Sequence, residues 1–302
     1  MSTRSNQTKS LAFIAASVAI TLWGMSFLWT DKILEQGVSI FYFIFVRILL
    51  AGLIMFLFNT ASGRIKRIRR EDLPKFMIMA FCEPFVYFIC ETFGIKLTES
   101  PTISAVVIAT IPIFSIGAGI VFFKEKINAV NICGIIITLA GILMVAITKG
   151  SAGKHYIWGI VLLLIAVLST VGHSSVTKSL VKTYSSQIIV MYQFLIGAIY
   201  LFPLFLWKGL KEFDYAVYFS SDVWYPLICL TALCSSLAFS LWVSSIKTLG
   251  VAKSSFFSAM IPVAAATIGW LLGRDTLSAR QWAGIAISTI GVILSQYTVN
   301  KK

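Results

Sequence analysis

Charge is scarce in this chain, and the shortage narrows its chemistry before any motif is considered. Only 12% of the 302 residues are charged, roughly half the fraction of an ordinary soluble protein. Histidines number 2, so metal clusters and acid–base pairs have few sources. His155 and His173 fall at different depths, and no HExxH, CxxC or GxSxG arrangement occurs. That counts against a membrane-embedded enzyme, the main rival class, and no metal or cofactor is expected. A filter-like polar loop and a ring-forming charged repeat are both missing, which removes the signature of a channel. The 5 cysteines, Cys82, Cys90, Cys133, Cys229 and Cys234, lie within apolar segments without pairing or ligand spacing. They read as small buried hydrophobes. The stretch MSTRSNQTKS precedes an apolar run too long for a signal peptide and lacking a small-x-small cleavage site, so the first span is expected to stay uncleaved.

What the chain has instead is apolar sequence, 58% of its residues. Runs near bilayer-spanning length, about twenty residues as helix, recur throughout. Broken at polar, glycine and proline punctuation, they give ten candidate helices near 11–30, 39–58, 75–95, 101–123, 129–148, 157–177, 186–207, 224–246, 252–273 and 281–298. The longest connections, 59–74 and 208–223, are too short for a soluble domain. The expected class is an all-α polytopic membrane protein.

The net charge of +13 would suggest nucleic acid in a soluble chain. Here its clearest cluster, Arg64, Lys66, Arg67, Arg69 and Arg70, is one loop with no domain around it. It is expected to set topology and meet anionic lipid headgroups, and no nucleic-acid partner is expected. With the N-terminus in the cytoplasm, inside segments carry 16 Lys and Arg against 8 outside, leaving Arg47 within a span. The positive-inside rule thus favours both termini cytoplasmic, in the inner membrane. Trp29, Trp158, Trp207, Trp224 and Trp282 then fall at outer helix ends, as interfacial anchors.

Residues 109–144 and 259–294 match at a constant offset of 150. Pro112 pairs with Pro262, Gly119 with Gly269, Gly134 with Gly284, Gly141 with Gly291, and Lys124–Glu125 with Arg274–Asp275. Five helices per half place the second half upside down relative to the first. The expectation is therefore two inverted five-helix repeats, 11–148 and 157–298, flanked by cytoplasmic tails 1–10 and 299–302. Trp23–Gly24, Arg47, the Ile–Pro of each fourth helix, KEKIN at 124–128, RDTLS at 274–278 and the glycines of the fifth helices complete the pattern. The chain resembles the drug/metabolite transporter superfamily, in particular its ten-helix EamA-type members, over about residues 11–298. That resemblance implies a secondary transporter with a central cavity between the halves, lined by helices one, three, six and eight with contributions from others. Such members most often export amino acids or other small metabolites. One departure from the family pattern is Asp275, where its acidic residue is shortened.

The stretch AFCEPFVYFICETF, residues 80–93, sets Glu83, Tyr87 and Glu91 at i, i+4 and i+8. On a continuous helix they form one polar stripe, with the carboxylates roughly 12 Å apart along the axis. An ionised carboxylate facing lipid costs about 2.5–3.5 kcal/mol, so the stripe should face protein or a water-filled cavity. Arg47 is the third intramembrane charge. It can pair structurally with one glutamate or meet an anionic substrate group. No other span supplies an obvious cation, so one carboxylate is left for a proton, a cation or a substrate amine. In the second repeat Glu91 falls on Trp242, Tyr87 on Ala238 and Glu83 on Cys234, with Arg47 near Gln193. A charged stripe present in one half only reads as functional. Trp23 and His173 occupy equivalent positions and can line a cavity or pack; Pro112 and Pro262 should kink the fourth and ninth helices for gating or for packing. The expected protein is a non-enzymatic carrier of a small polar solute by alternating access, monomer or homodimer. An uptake or exchange carrier of the same fold is the alternative.

Overall fold

The computed structural model describes residues 2–115, 129–146, 154–210, 215–250, 254, 257, 258, 260–273 and 277–295. Ten apolar helices stand among them: α1 Ser2–Glu35, α2 Ile40–Ala61, α3 Arg70–Thr98, α4 Pro101–Ser115, α5 Ala129–Ala146, α6 Lys154–Leu180, α7 Ser186–Gly209, α8 Ser221–Leu249, α9 Ile261–Leu271 and α10 Ala279–Ser295. Six of these are long and apolar enough to cross a membrane on the described residues alone, and α4, α5, α9 and α10 are shorter apolar helices. Lys124–Glu125, Arg274–Asp275, Gly119 and the C-terminal tail lie outside the described residues.

Local chemistry sets the breaks between helices. Ser100 caps α4 by accepting from the Ile103 amide at 3.3 Å, with Pro101 at the first turn, where its missing N–H leaves no bond unmade. Gly250 ends α8 at φ 83°, a conformation open to glycine at little cost. Pro112 and Pro262 do not kink continuous helices, as the sequence suggested. Each opens a fresh helical segment after a tightened turn. Thr110 N donates to Val107 O at 3.1 Å and Met260 N to Phe257 O at 2.9 Å, so the same pattern recurs 150 residues apart. A proline two residues on has no N–H for the next rung, and the ladder restarts there.

Packing follows a two-fold pattern. Helix α1 runs antiparallel to α8, with contacts from Ala12–Ser245 through Trp23–Cys234 to Lys32–Asp222. Its repeat counterpart, α6 against α3, runs from Gly159–Thr98 to Ser169–Cys82. Likewise α1 packs on α9, as α6 packs on α4. The equivalent helices α2 and α7 lie antiparallel, from Phe45–Phe202 to Asn59–Gln187. So do α5 and α10, through Gly141–Gly284 and Gly134–Gly291. Equivalent helices in antiparallel contact are what inverted repeats produce. Glycine makes the closest crossings possible: a Cβ on Gly24 would stand 3.0 Å from the Ala265 backbone nitrogen, which is the packing reason for the Trp23–Gly24 pair. Large apolar side chains such as Leu57, Ile136, Ile199 and Leu271 cover the outside, and the main buried cluster joins both halves.

Candidate functional site

Glutamate 83 does not sit on a regular helix. Within Phe81–Val86 two helical segments meet at a kink in which Glu83 takes the non-helical angles φ −143° and ψ 115°, and the Glu83–Pro84 peptide is cis. Pro84 lacks the N–H that α3 would need, and its ring crowds the carbonyl four residues earlier. The single i, i+4, i+8 stripe is therefore corrected: Tyr87 and Glu91 share a regular face, while Glu83 stands across a break. The ring of Pro84 fills the place of a Cβ on Gly197 of α7. Ser169 Oγ donates to the Cys82 carbonyl exposed by the break. Helix α8 widens into a π-helical segment at the matching place, Leu230–Ala238, where Trp23 Nε1 donates to the Cys234 carbonyl at 3.1 Å. Such π segments gather at functional sites.

Between the breaks lies a partly enclosed cavity of about 50 Å³, well below the roughly 300–1,000 Å³ of open small-molecule sites. Its walls come from α1, α2, α3, α4, α6, α8 and α9. The lining is paired across the repeats: Trp23 with His173, Phe88 with Phe239, Glu91 with Trp242, Ile108 with Ser258, and Ile111 with Ile261. Trp23, Arg47, Glu83, Tyr87, Glu91, His173 and Trp242 are thereby brought to one space. Gln193 is not in the lining. It lies behind His173, fully buried, with its side-chain amide against the imidazole. Pro112 and Pro262 stand one residue beyond cavity-lining Ile111 and Ile261, so each Ile–Pro pair puts a branched side chain on the cavity beside a helix restart.

The charges do not pair as arithmetic alone suggested. Arg47, 2% exposed, has no carboxylate oxygen within 4.0 Å among the described residues. Its Nε donates to Ser235 Oγ at 3.0 Å, and its guanidinium lies over the Phe88 ring, 4.5 Å from the centroid. A planar, delocalised cation tolerates that stacking better than an ammonium would. Glu91 is its nearest acidic neighbour and accepts from Tyr87 Oη at 2.8 Å. Glu83 instead faces His173 of α6, Oε2 to Nδ1 at 3.2 Å, with Thr170 Oγ1 at 3.5 Å. His173 is thus the partner that the search for a second cation overlooked. Trp23 packs on Phe239 and Trp242, with ring centroids 5.1 and 5.2 Å away. This aromatic wall can hold an apolar or cationic group.

Sequence inspection missed Ser235, Thr170, Phe88 and Phe239. One signal was available for Ser235, which falls on Pro84 when the repeats are aligned.

A family model described as EamA-like transporter family matches residues 10–147 and again 157–297. The chain belongs to the EamA-like transporter family. Relatives described as transporters or exporters cover most of it. An uncharacterized transporter of Bacillus subtilis, YetK, is 24% identical over 96% of this chain and 87% of its own. A probable terminal-alkyne amino-acid exporter of Streptantibioticus cattleyicolor is 25% identical over 76% and 75%. One crystal structure superposes with a TM-score of 0.71 at 16% identity, covering 94% of this chain and 96% of the other; this likeness concerns the fold. The chain is accordingly a multi-pass membrane protein of a transporter family, and its central polar residues sit where its two EamA repeats meet.

Proposed function

We propose that this protein is a secondary active transporter that exports a small polar metabolite, an amino acid or related solute, by alternating access across the cytoplasmic membrane. It is a carrier and not an enzyme, with both termini in the cytoplasm and the repeats 11–148 and 157–298 as its halves. One observation carries the reading: the cavity lining is drawn pairwise from inverted repeats. In such a cavity, an exchange of packing between the halves reverses the side to which the centre opens. Arg47 and Ser235 supply donors for an anionic group. Glu91 and Glu83 supply acceptors, and the Trp23–Phe239–Trp242 wall suits a side chain. The relative described as an amino-acid exporter supports the substrate class. At least one glutamate is expected to change protonation or partner during the cycle.

Metabolite profiles inside and outside cells over-expressing or lacking the protein test this. One class of small polar solute should fall inside and rise outside on over-expression, with the reverse on deletion. Unchanged pools in both strains would overturn the reading.

A further inference from the structure

We propose that Glu83 and His173 form a one-proton site, distinct from the polar group around Arg47 and Glu91, and that the coupling proton enters and leaves the transport cycle there. The proposal rests on the transporter reading above and names its coupling ion and that ion's seat.

Geometry separates the two groups. Glu83 Oε2 lies 3.2 Å from His173 Nδ1, both side chains lining the cavity and both nearly buried. Around Glu83, its own helix presents Cys82, Tyr87 and Glu91, and α6 presents Thr170 and His173. Helix α7 presents Pro84's neighbour Gly197 and the uncharged Gln193 behind the imidazole. The guanidinium of Arg47 from α2 faces Glu91, Tyr87 and Cys234 of α8. Nothing in this ring fixes a permanent cation against Glu83. Its charge balance therefore depends on a proton shared with His173. With one proton the pair is neutral, either as carboxylic acid and imidazole or as carboxylate and imidazolium. Release gives a carboxylate and a neutral imidazole, and the proton passes to water in the cavity.

The repeat comparison argues that this pair is more than a brace. At the equivalent place in the second half, Trp23 meets Cys234, and the contact is an indole N–H on a main-chain carbonyl. Holding the helix break needs no more than that. In the first half the exposed carbonyl of Cys82 already has its cap in Ser169. The carboxylate and imidazole are thus an addition to a brace already complete; imidazole is the side chain whose ordinary charge change falls near neutral pH, and a carboxyl is a common proton donor and acceptor beside it. Behind them, His173 Nε2 lies 3.4 Å from Thr177 Oγ1, and the fully buried Gln193 amide stands against the imidazole. An amide carries both a donor and an acceptor, so it can face either protonation state of the ring as the proton moves.

Infrared difference spectra of the purified protein in lipid nanodiscs, titrated with acid and base and without any solute, test the assignment. A protonated-carboxyl stretch should appear and disappear with a single-proton profile. Glu83→Gln should abolish it and Glu91→Gln should retain it. His173→Gln should keep the band but move its midpoint by one pH unit or more, and Thr170→Val should perturb the band frequency. These last variants keep the test alive if Glu83→Gln does not fold. A band that survives Glu83→Gln, that vanishes in Glu91→Gln, or whose midpoint ignores His173→Gln would overturn the proposal. Because no solute enters the measurement, such a result leaves the transporter reading standing, and unchanged metabolite pools with an intact band would do the opposite.

Discussion

Arg47 is the residue whose setting most changes expectation. A buried guanidinium with one hydroxyl and one aromatic face holds unused donors toward the cavity. Ser235→Ala removes the Nε acceptor alone, and is expected to slow transport about tenfold, the size of one charge-assisted hydrogen bond of ~1.4 kcal/mol. Arg47→Lys keeps the charge but loses both the planar stack and the fork, so it should cost more than Ser235→Ala while membrane expression holds. Initial rates in vesicles loaded with the solute found by metabolite profiling check both. Equal rates in Arg47→Lys and wild type would leave the guanidinium a point charge. Which residues gather at the cavity was largely legible in the sequence, because an ionisable side chain inside an apolar helix needs a reason to be there. How they pair was not. Sequence spacing put Glu83 on a face with Glu91, but the proline beside it, visible in Cys82–Glu83–Pro84–Phe85, breaks the helix and turns that carboxylate toward His173.

At the scale of elements, two cross-repeat junctions close the ends of the bundle. On the side of the basic loop, Tyr184 Oη donates to Asp72 at 3.0 Å and accepts from the Arg69 amide at 3.1 Å. Lys66 Nζ reaches Thr183 O at 3.0 Å, and Tyr192 Oη reaches Lys66 O at 3.2 Å. Asp72 is also tied to Lys75 at 2.7 Å. The loop read from sequence as a topology signal and a lipid contact is therefore also a clasp between the two halves. At the opposite end the junction includes Lys32–Asp222 at 2.8 Å and Ser39 N to Tyr218 Oη at 2.9 Å. Tyr184→Phe leaves the Arg69 amide and Asp72 without their shared hydroxyl, which should cost about 1–3 kcal/mol. A lowered thermal midpoint in detergent is the stability readout. If the clasp also gates the cavity, modification of Cys82 by a membrane-impermeant thiol reagent from that side should quicken as well. A lowered midpoint with unchanged labelling would make the clasp purely structural. The α5–α10 contact makes a separate prediction. Gly141 meets Gly284 and Ser288 backbone to backbone, so Gly141→Leu should separate the two helices and abolish folded, membrane-extracted protein, whereas Leu143→Ala on the exposed face should not. Size-exclusion recovery of the two variants compares them directly.

For the whole molecule, the inverted repeat was the most legible feature, because prolines and glycines recur in register where apolar sequence otherwise blurs every alignment. Individual helices were harder to bound. Helix α1 extends to Glu35, and α6 and α8 run two or more residues beyond their apolar runs, since polar ends remain helical past the hydrocarbon edge. Orientation rests on a different kind of force, the retention of Lys and Arg on the cytoplasmic side during insertion. The charge asymmetry predicts that the loop bearing Arg64, Arg67 and Arg70 faces the cytoplasm and the segment between α7 and α8 faces outward. Single cysteines placed at exposed Ser62 and half-buried Ser220, in a background with the five native cysteines replaced, report this with an impermeant maleimide on intact cells. Position 220 should label and position 62 should label only after the membrane is opened. The reverse pattern would put the clasp on the outside and make the structure one that is closed outward.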